Sequence, residues 1–192
     1  MIARCAHARA IVGDLMTHHV RISIACRDDR GLLAAVAGKL FDLGGDLGDA
    51  SFALLGEEAS LVCVCALPDH LDVDATRAAL AALPALAKGE VTVKPFELGR
   101  AHTATGRATH VLRVRGNDRP GLMARLAEAF GELGANVVRM DAEQLERSTG
   151  TDYLMRFEVW IPEGAEEACL ANVANTAATM GMTYDGERVA PK

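Results

Sequence analysis

One pattern occurs twice in the chain, 90 residues apart. Gly116-Asn117-Asp118-Arg119-Pro120-Gly121-Leu122-Met123 follows an apolar run, His110 to Val114, and opens a stretch with helical spacing, Leu122 to Leu133. Arg27-Asp28-Asp29-Arg30-Gly31-Leu32-Leu33 stands in the same way between Val20 to Ala25 and Leu32 to Leu43. Asp28 matches Asp118, Gly31 matches Gly121 and Gly44 matches Gly134, and the apolar pairs Val36 with Leu126 and Leu40 with Phe130 keep the same offset. A spacing held from turn to helix to the next loop marks an internal duplication. Two copies of about 90 residues are too long for solenoid units, and each can form a small domain of its own.

Within each copy the periodicities alternate between two and three to four residues. Val20, Ile22 and Ile24 alternate with Arg21, Ser23 and Ala25, which predicts a half-buried strand, and Leu32, Val36 and Leu40 form a helical stripe. A second strand is expected from Asp46 to Leu55, a turn at Gly56-Glu57-Glu58, a third strand from Ala59 to Leu67, a helix from Asp74 to Leu83 and a fourth strand at Val91 to Val93. The second copy repeats the order: strand His110 to Arg115, helix, strand Asn136 to Glu146, strand, helix Ala165 to Met180 and strand Met182 to Val189. Its hairpin, Arg147 to Thr151, is expected to be longer, because Pro162 lies 94 residues beyond Pro68 rather than 90. The predicted fold is α+β: two ferredoxin-like βαββαβ domains with antiparallel sheets and helices on one face. The expected boundaries are an N-terminal extension over 1–17, a first domain over 18–98, a linker over 99–107 and a second domain over 108–192.

The third strand of the first copy is apolar on both faces, with Leu61, Cys63, Cys65 and Leu67 on one and Val62, Val64 and Ala66 on the other. Continuous apolarity predicts that both faces are covered, by another domain or another chain, and a homodimer is the expected state. The third strand of the second copy alternates with Arg156 and Glu158 and is expected to have one wetter face.

The motif Asp-x-Pro-Gly-Leu-Met between strand and helix, with Leu-Gly-Ala-Asn-Val before the next strand, resembles the ACT domain, a regulatory module that binds small molecules. Two such domains in tandem with no catalytic domain attached are similar to glycine cleavage repressors and related regulators. The resemblance spans about residues 18–190. It implies a ligand site across a domain interface, between the Pro-Gly turn of one domain and the Asn that opens the second strand of a neighbour. Carried over by position, the ligand-binding candidates are Asp118, Gly121, Leu122 and Asn136, with Asp28, Gly31, Leu32 and Asp46 as their repeats. The first copy departs from the pattern at Arg30, which replaces Pro, and at Asp46, which replaces Asn. The resemblance also implies a small amino acid as effector, glycine or serine first, and a DNA-binding regulator protein as partner.

The residues support the same chemistry. N–H groups at the start of a helix suit a carboxylate, and an Asn amide oxygen can accept from an ammonium. Pro120 suits the first helical position, and Asp28 and Asp118 suit an Asx-turn or N-cap better than an acid–base pair. No Ser-His-Asp or Cys-His signature, no Walker loop and no Gly-x-Gly-x-x-Gly after a strand is present, so the expectation is no enzyme, no catalytic residue, no cofactor and no metal site. His18 and His19 adjoin on an extended segment and point to opposite faces, and Cys63 and Cys65 lack further ligands, so they are expected as buried thiols.

Composition narrows the remaining classes. Half the residues are hydrophobic, the formal net charge is −6 and aromatics are 4%. An acidic chain poor in stacking platforms is not expected to bind nucleic acid directly, and the aromatics Tyr153 and Phe157 alone do not make an RNA platform. Five cysteines without a framework spacing point to reduced thiols and a cytoplasmic location. No apolar run reaches about 20 residues, so no membrane span is expected, and the first 15 residues, interrupted by Asp14, do not make a signal peptide.

Overall fold

The alternating strands and striped helices pair into two separate sheets. A computed structural model describes residues 17–99, 101–117, 119–147 and 150–189, and the chain divides into two units between Leu98 and Gly99. The first contains β1 (Thr17–Arg27), α1 (Leu32–Asp42), β2 (Asp46–Leu55), β3 (Glu58–Pro68), α2 (Val73–Ala81) and β4 (Glu90–Pro95). The second contains β5 (His110–Asn117), α3 (Leu122–Gly131), β6 (Asn136–Arg147), β7 (Gly150–Trp160), α4 (Glu166–Thr179) and β8 (Thr183–Arg188). The sheets run β2-β3-β1-β4 and β6-β7-β5-β8, and every pairing is antiparallel. Each unit is the expected ferredoxin-like βαββαβ domain.

The helical stripes become the cores. Leu32, Val36 and Leu40 bury against Val20, Ile22, Leu61, Cys63 and Cys65. In the second unit Leu122, Leu126 and Phe130 bury against Leu112, Met155 and Phe157, with the Phe130 and Phe157 rings 5.2 Å apart and tilted. Cys63 and Cys65 are core thiols, 1% and 0% exposed, and burial pushes both up to about 11. No helix among the described residues is long and apolar enough to cross a membrane.

Several local expectations need correction. The second helix spans Val73–Ala81 rather than Asp74 to Leu83, because Asp72 caps it through Ala75 N–H (2.6 Å) and Pro84 starts a separate 3₁₀ turn, Pro84–Leu86. Thr17 pairs with Pro68 in β1, and residues 1–16 lie outside the described residues. The extra residues of the second copy lengthen its hairpin through the strands and not through the turn. β6 has 12 residues against 10 in β2, and only 148–149 lie between β6 and β7, as only Gly56 and Glu57 lie between β2 and β3. A longer ladder satisfies the added backbone groups that a longer loop would leave to water.

A feature the sequence did not announce is a matched bulge. The register slips between Leu47 and Ala50 in β2 and between Val137 and Arg139 in β6, at equivalent places in the two copies.

The outer faces of the two sheets differ. On β3 the inner residues Ala59, Leu61, Cys63, Cys65 and Leu67 are buried, but the outer face stays open, with Val62 43% exposed. On the second sheet that face carries ion pairs: Arg113 to Asp185 (3.2 Å) and Glu187 (2.8 Å), Arg115 to Asp152 (3.3 Å), and Arg156 to Glu158 (2.6 Å). The wetter face expected on β7 is one part of this lattice.

Candidate functional site

The two strand-to-helix turns have nearly identical backbones. Gly31 sits at φ 81°, ψ 4° and Gly121 at φ 81°, ψ 0°, each as the residue that caps its helix. Leu32 N–H donates to Asp29 O (3.2 Å) and Leu122 N–H to Arg119 O (3.3 Å). A glycine near φ +80°, ψ 0° in the third position with this hydrogen bond makes a type II turn. Pro120 is therefore the second residue of that turn, not the first residue of α3, which starts at Leu122. Arg30 occupies the same place without disturbing the turn, and its N–H, which a proline would lack, donates to Asp29 Oδ1 (2.8 Å).

The turn glycines do more than bend the chain. A Cβ on Gly31 or Gly121 would meet nothing within 4 Å, so the space in front of each is open. Among the described residues neither helix start has a side-chain cap. Asp28 does not take the N-cap or Asx-turn role expected of it. Its backbone N–H instead donates to Glu57 O (2.9 Å), which ties the turn to the β2–β3 hairpin. Asp118, its counterpart, lies outside the described residues.

The remaining candidates fall elsewhere. Leu32 and Leu122 are buried, 5% and 2% exposed, so they can offer a ligand only backbone groups. Asp46 is exposed at the start of β2, paired in register with Ala66. Asn136 is exposed at the start of β6, and its amide Nδ2 donates to Thr105 O (2.9 Å), fastening the 3₁₀ turn Ala104–Gly106 to the sheet. That donor is thus already engaged, while the amide oxygen has no partner among the described residues. Within one repeat the turn and the second-strand residue stand at opposite ends of the intervening helix, about 15 Å apart for a helix of this length. Neither repeat brings its own pair together.

Beside the first turn lies an open groove of about 380 Å³ lined by Cys26, Arg27, Asp28, Asp29, Lys88 and Gly89. Its rim carries both signs of charge. Cys26 is 6% exposed, and burial, then the Asp28 and Glu58 carboxylates, push its thiol up. The groove owes its shape to Gly89, where a Cβ would fall 2.7 Å from Cys26 Cβ. At the equivalent place in the second unit the sizes are exchanged. Gly116 stands for Cys26 and Met182 for Gly89, and a Cβ on Gly116 would fall 2.6 Å from Met182 Sδ. Arg119 Nη2 reaches within 3.7 Å of a Cβ placed on Gly181. Met182 and Arg119 stand where Gly89 and Asp29 stand in the first unit. This exchange was not visible from repeat alignment alone, because it joins residues more than 60 apart.

Tyr184 is a further residue that sequence reasoning passed over. It lies across Gly186, and its hydroxyl is buried without a partner among the described residues. Burial, then Cys169 and Asp185, push it up to about 12.

Comparison with known proteins agrees with this fold. The ACT domain model matches residues 110–160. No curated protein matches the sequence. An unknown protein from Galdieria sulphuraria superposes with TM-score 0.74 at 20% identity, covering 91% of this chain and 100% of its own. A candidate glycine cleavage system transcriptional repressor superposes with TM-score 0.60 at 13% identity, covering 92% of this chain and 99% of its own. The protein is a tandem of two ferredoxin-like βαββαβ folds, and the ACT domain model matches residues 110–160 of the second.

Proposed function

We propose that the protein is a non-catalytic regulator that binds a small amino acid, glycine or serine first, at its strand-to-helix turns and controls transcription or metabolism through a partner protein. The observation that carries this reading is the pair of glycine-capped helix starts. Both have the same left-handed glycine, open space in front and, among the described residues, no side-chain cap. N–H groups at such a start hold a carboxylate. The ammonium is taken by a residue of the Asn136 or Asp46 type brought by a neighbouring ACT-like domain. The mixed-charge rim at the first turn suits the same zwitterion. The matched ACT domain is a regulatory module, and the repressor-like neighbour supports a role in transcription; the partner proposed is a DNA-binding regulator. A cytoplasmic setting accords with the core thiols Cys63 and Cys65.

A ligand-independent adaptor on the same fold is the second reading. It is favoured by the Asn136 amide, whose donor is spent on Thr105. A thermal-shift screen against the twenty amino acids separates the two. A ligand at 100 times its dissociation constant stabilises by about 2.7 kcal/mol, or a rise of about 5–10 °C for a chain of this size. No rise with any amino acid would leave the adaptor.

A further inference from the structure

We infer that the outer face of the first sheet is the surface on which two copies of this chain pair, with strands reversed about a two-fold axis. The face is open and nearly free of charge at its centre. Its middle row, set by the strand register, is Ser51, Val62, Ser23 and Thr92. Val62 is exposed, and Ser23 and Thr92 are half-buried, so flat, small side chains leave room for a second sheet.

The rows flanking the middle row carry opposite charge, and beyond them Arg27 is the register partner of Glu58 and Asp46 of Ala66. Arg21 and Lys94 are register partners in one flanking row, and Glu90 pairs with Ala25 in the other. Arg21, Glu90 and Lys94 are exposed and have no partner among the described residues. A two-fold axis through the middle row and perpendicular to the strands places Val62 against its own copy. It also places Lys94 of each chain against Glu90 of the other, because both lie two residues from Thr92 on β4. The face is therefore complementary to itself, as an isologous contact requires.

The corresponding face of the second sheet offers no such contact. Its Arg113, Arg115 and Arg156 are already paired with carboxylates of their own sheet, and covering them would remove satisfied charges from water. The occupant of the first face is a second copy rather than an acidic or basic partner, since a partner of one sign would meet a like charge in one flanking row. The inference does not depend on any amino-acid ligand.

Sedimentation equilibrium of the full chain tests it. Wild type is expected to be dimeric at micromolar concentration. Lys94→Glu, at an exposed position, is expected to weaken the dimer about 100-fold by setting like charges opposite each other. The double variant Lys94→Glu/Glu90→Lys should restore dimerisation, because the two-fold re-pairs the exchanged charges. Val62→Lys, checked for folding by circular dichroism, should give a monomer. A monomeric wild type, an unaffected Lys94→Glu dimer or a double variant that stays dissociated would each overturn the proposal. Weakening by Lys94→Glu with rescue in the double variant would uphold it.

Discussion

The two repeats share a backbone and differ in almost everything displayed on it. Gly31 and Gly121 hold the same turn, and β2 and β6 bulge at the same step. Yet one outer face is small and open while the other is a lattice of ion pairs, and the Cys26–Gly89 contact beside one turn is Gly116–Met182 beside the other. What duplication preserves is where the chain must bend and what it must bury. Side chains outside those two demands are free to diverge.

The preserved layer should show the largest effects. Phe130 and Leu40 occupy equivalent helix positions, each 1% exposed. Phe130→Ala is expected to destabilise by about 3–5 kcal/mol and Leu40→Ala by about 2–5 kcal/mol in urea unfolding. A loss below about 1 kcal/mol at either would mean that the two cores are not equivalently packed.

The exchanged packing gives a sharper test. Gly89→Met installs the second repeat's side chain over Cys26, and overpacking should cost about 1–3 kcal/mol. Adding Cys26→Gly completes the exchange and should recover more than half of that loss. Additive losses would show that the two sites are not a coupled pair. The smallest effect has the opposite sign. Tyr184→Phe removes a buried hydroxyl that has no partner among the described residues, so it should raise stability by about 1 kcal/mol. A clear loss in the same unfolding assay would reveal a hydrogen bond to that hydroxyl.

Much of this was legible in the sequence, and the reason is periodic burial. Val20-Ile22-Ile24 and Leu32-Val36-Leu40 write the strand and the helix directly, and the glycines at matched offset write the duplication. Details set by backbone geometry were less legible. Pro120 suits both a first helical position and a type II turn, and only the positive φ of Gly121 decides for the turn. Asp28 has the composition of a cap, but the turn glycine already holds that position. Asn136 carries the right chemistry for an ammonium, and the sequence could not show that the segment around Thr105 folds back to take its donor. The apolar outer face of β3 was read correctly as a pattern. What lies on it is a question of partners, to which a single chain's periodicity has no answer.

The central claim is that the two glycine turns hold an amino acid through backbone N–H groups. Calorimetric titration of glycine and serine into wild type, Gly31→Ala, Gly121→Ala and Asn136→Ala tests it most directly. Each Gly→Ala change projects a methyl into space that is open in the free protein and strains a left-handed residue by about 1–2 kcal/mol. The account predicts saturable binding to wild type, loss of binding when the occupied turn is blocked, and a roughly tenfold weaker site in Asn136→Ala if its amide oxygen takes the ammonium. No heat with wild type, or undiminished binding in both glycine variants, would contradict it.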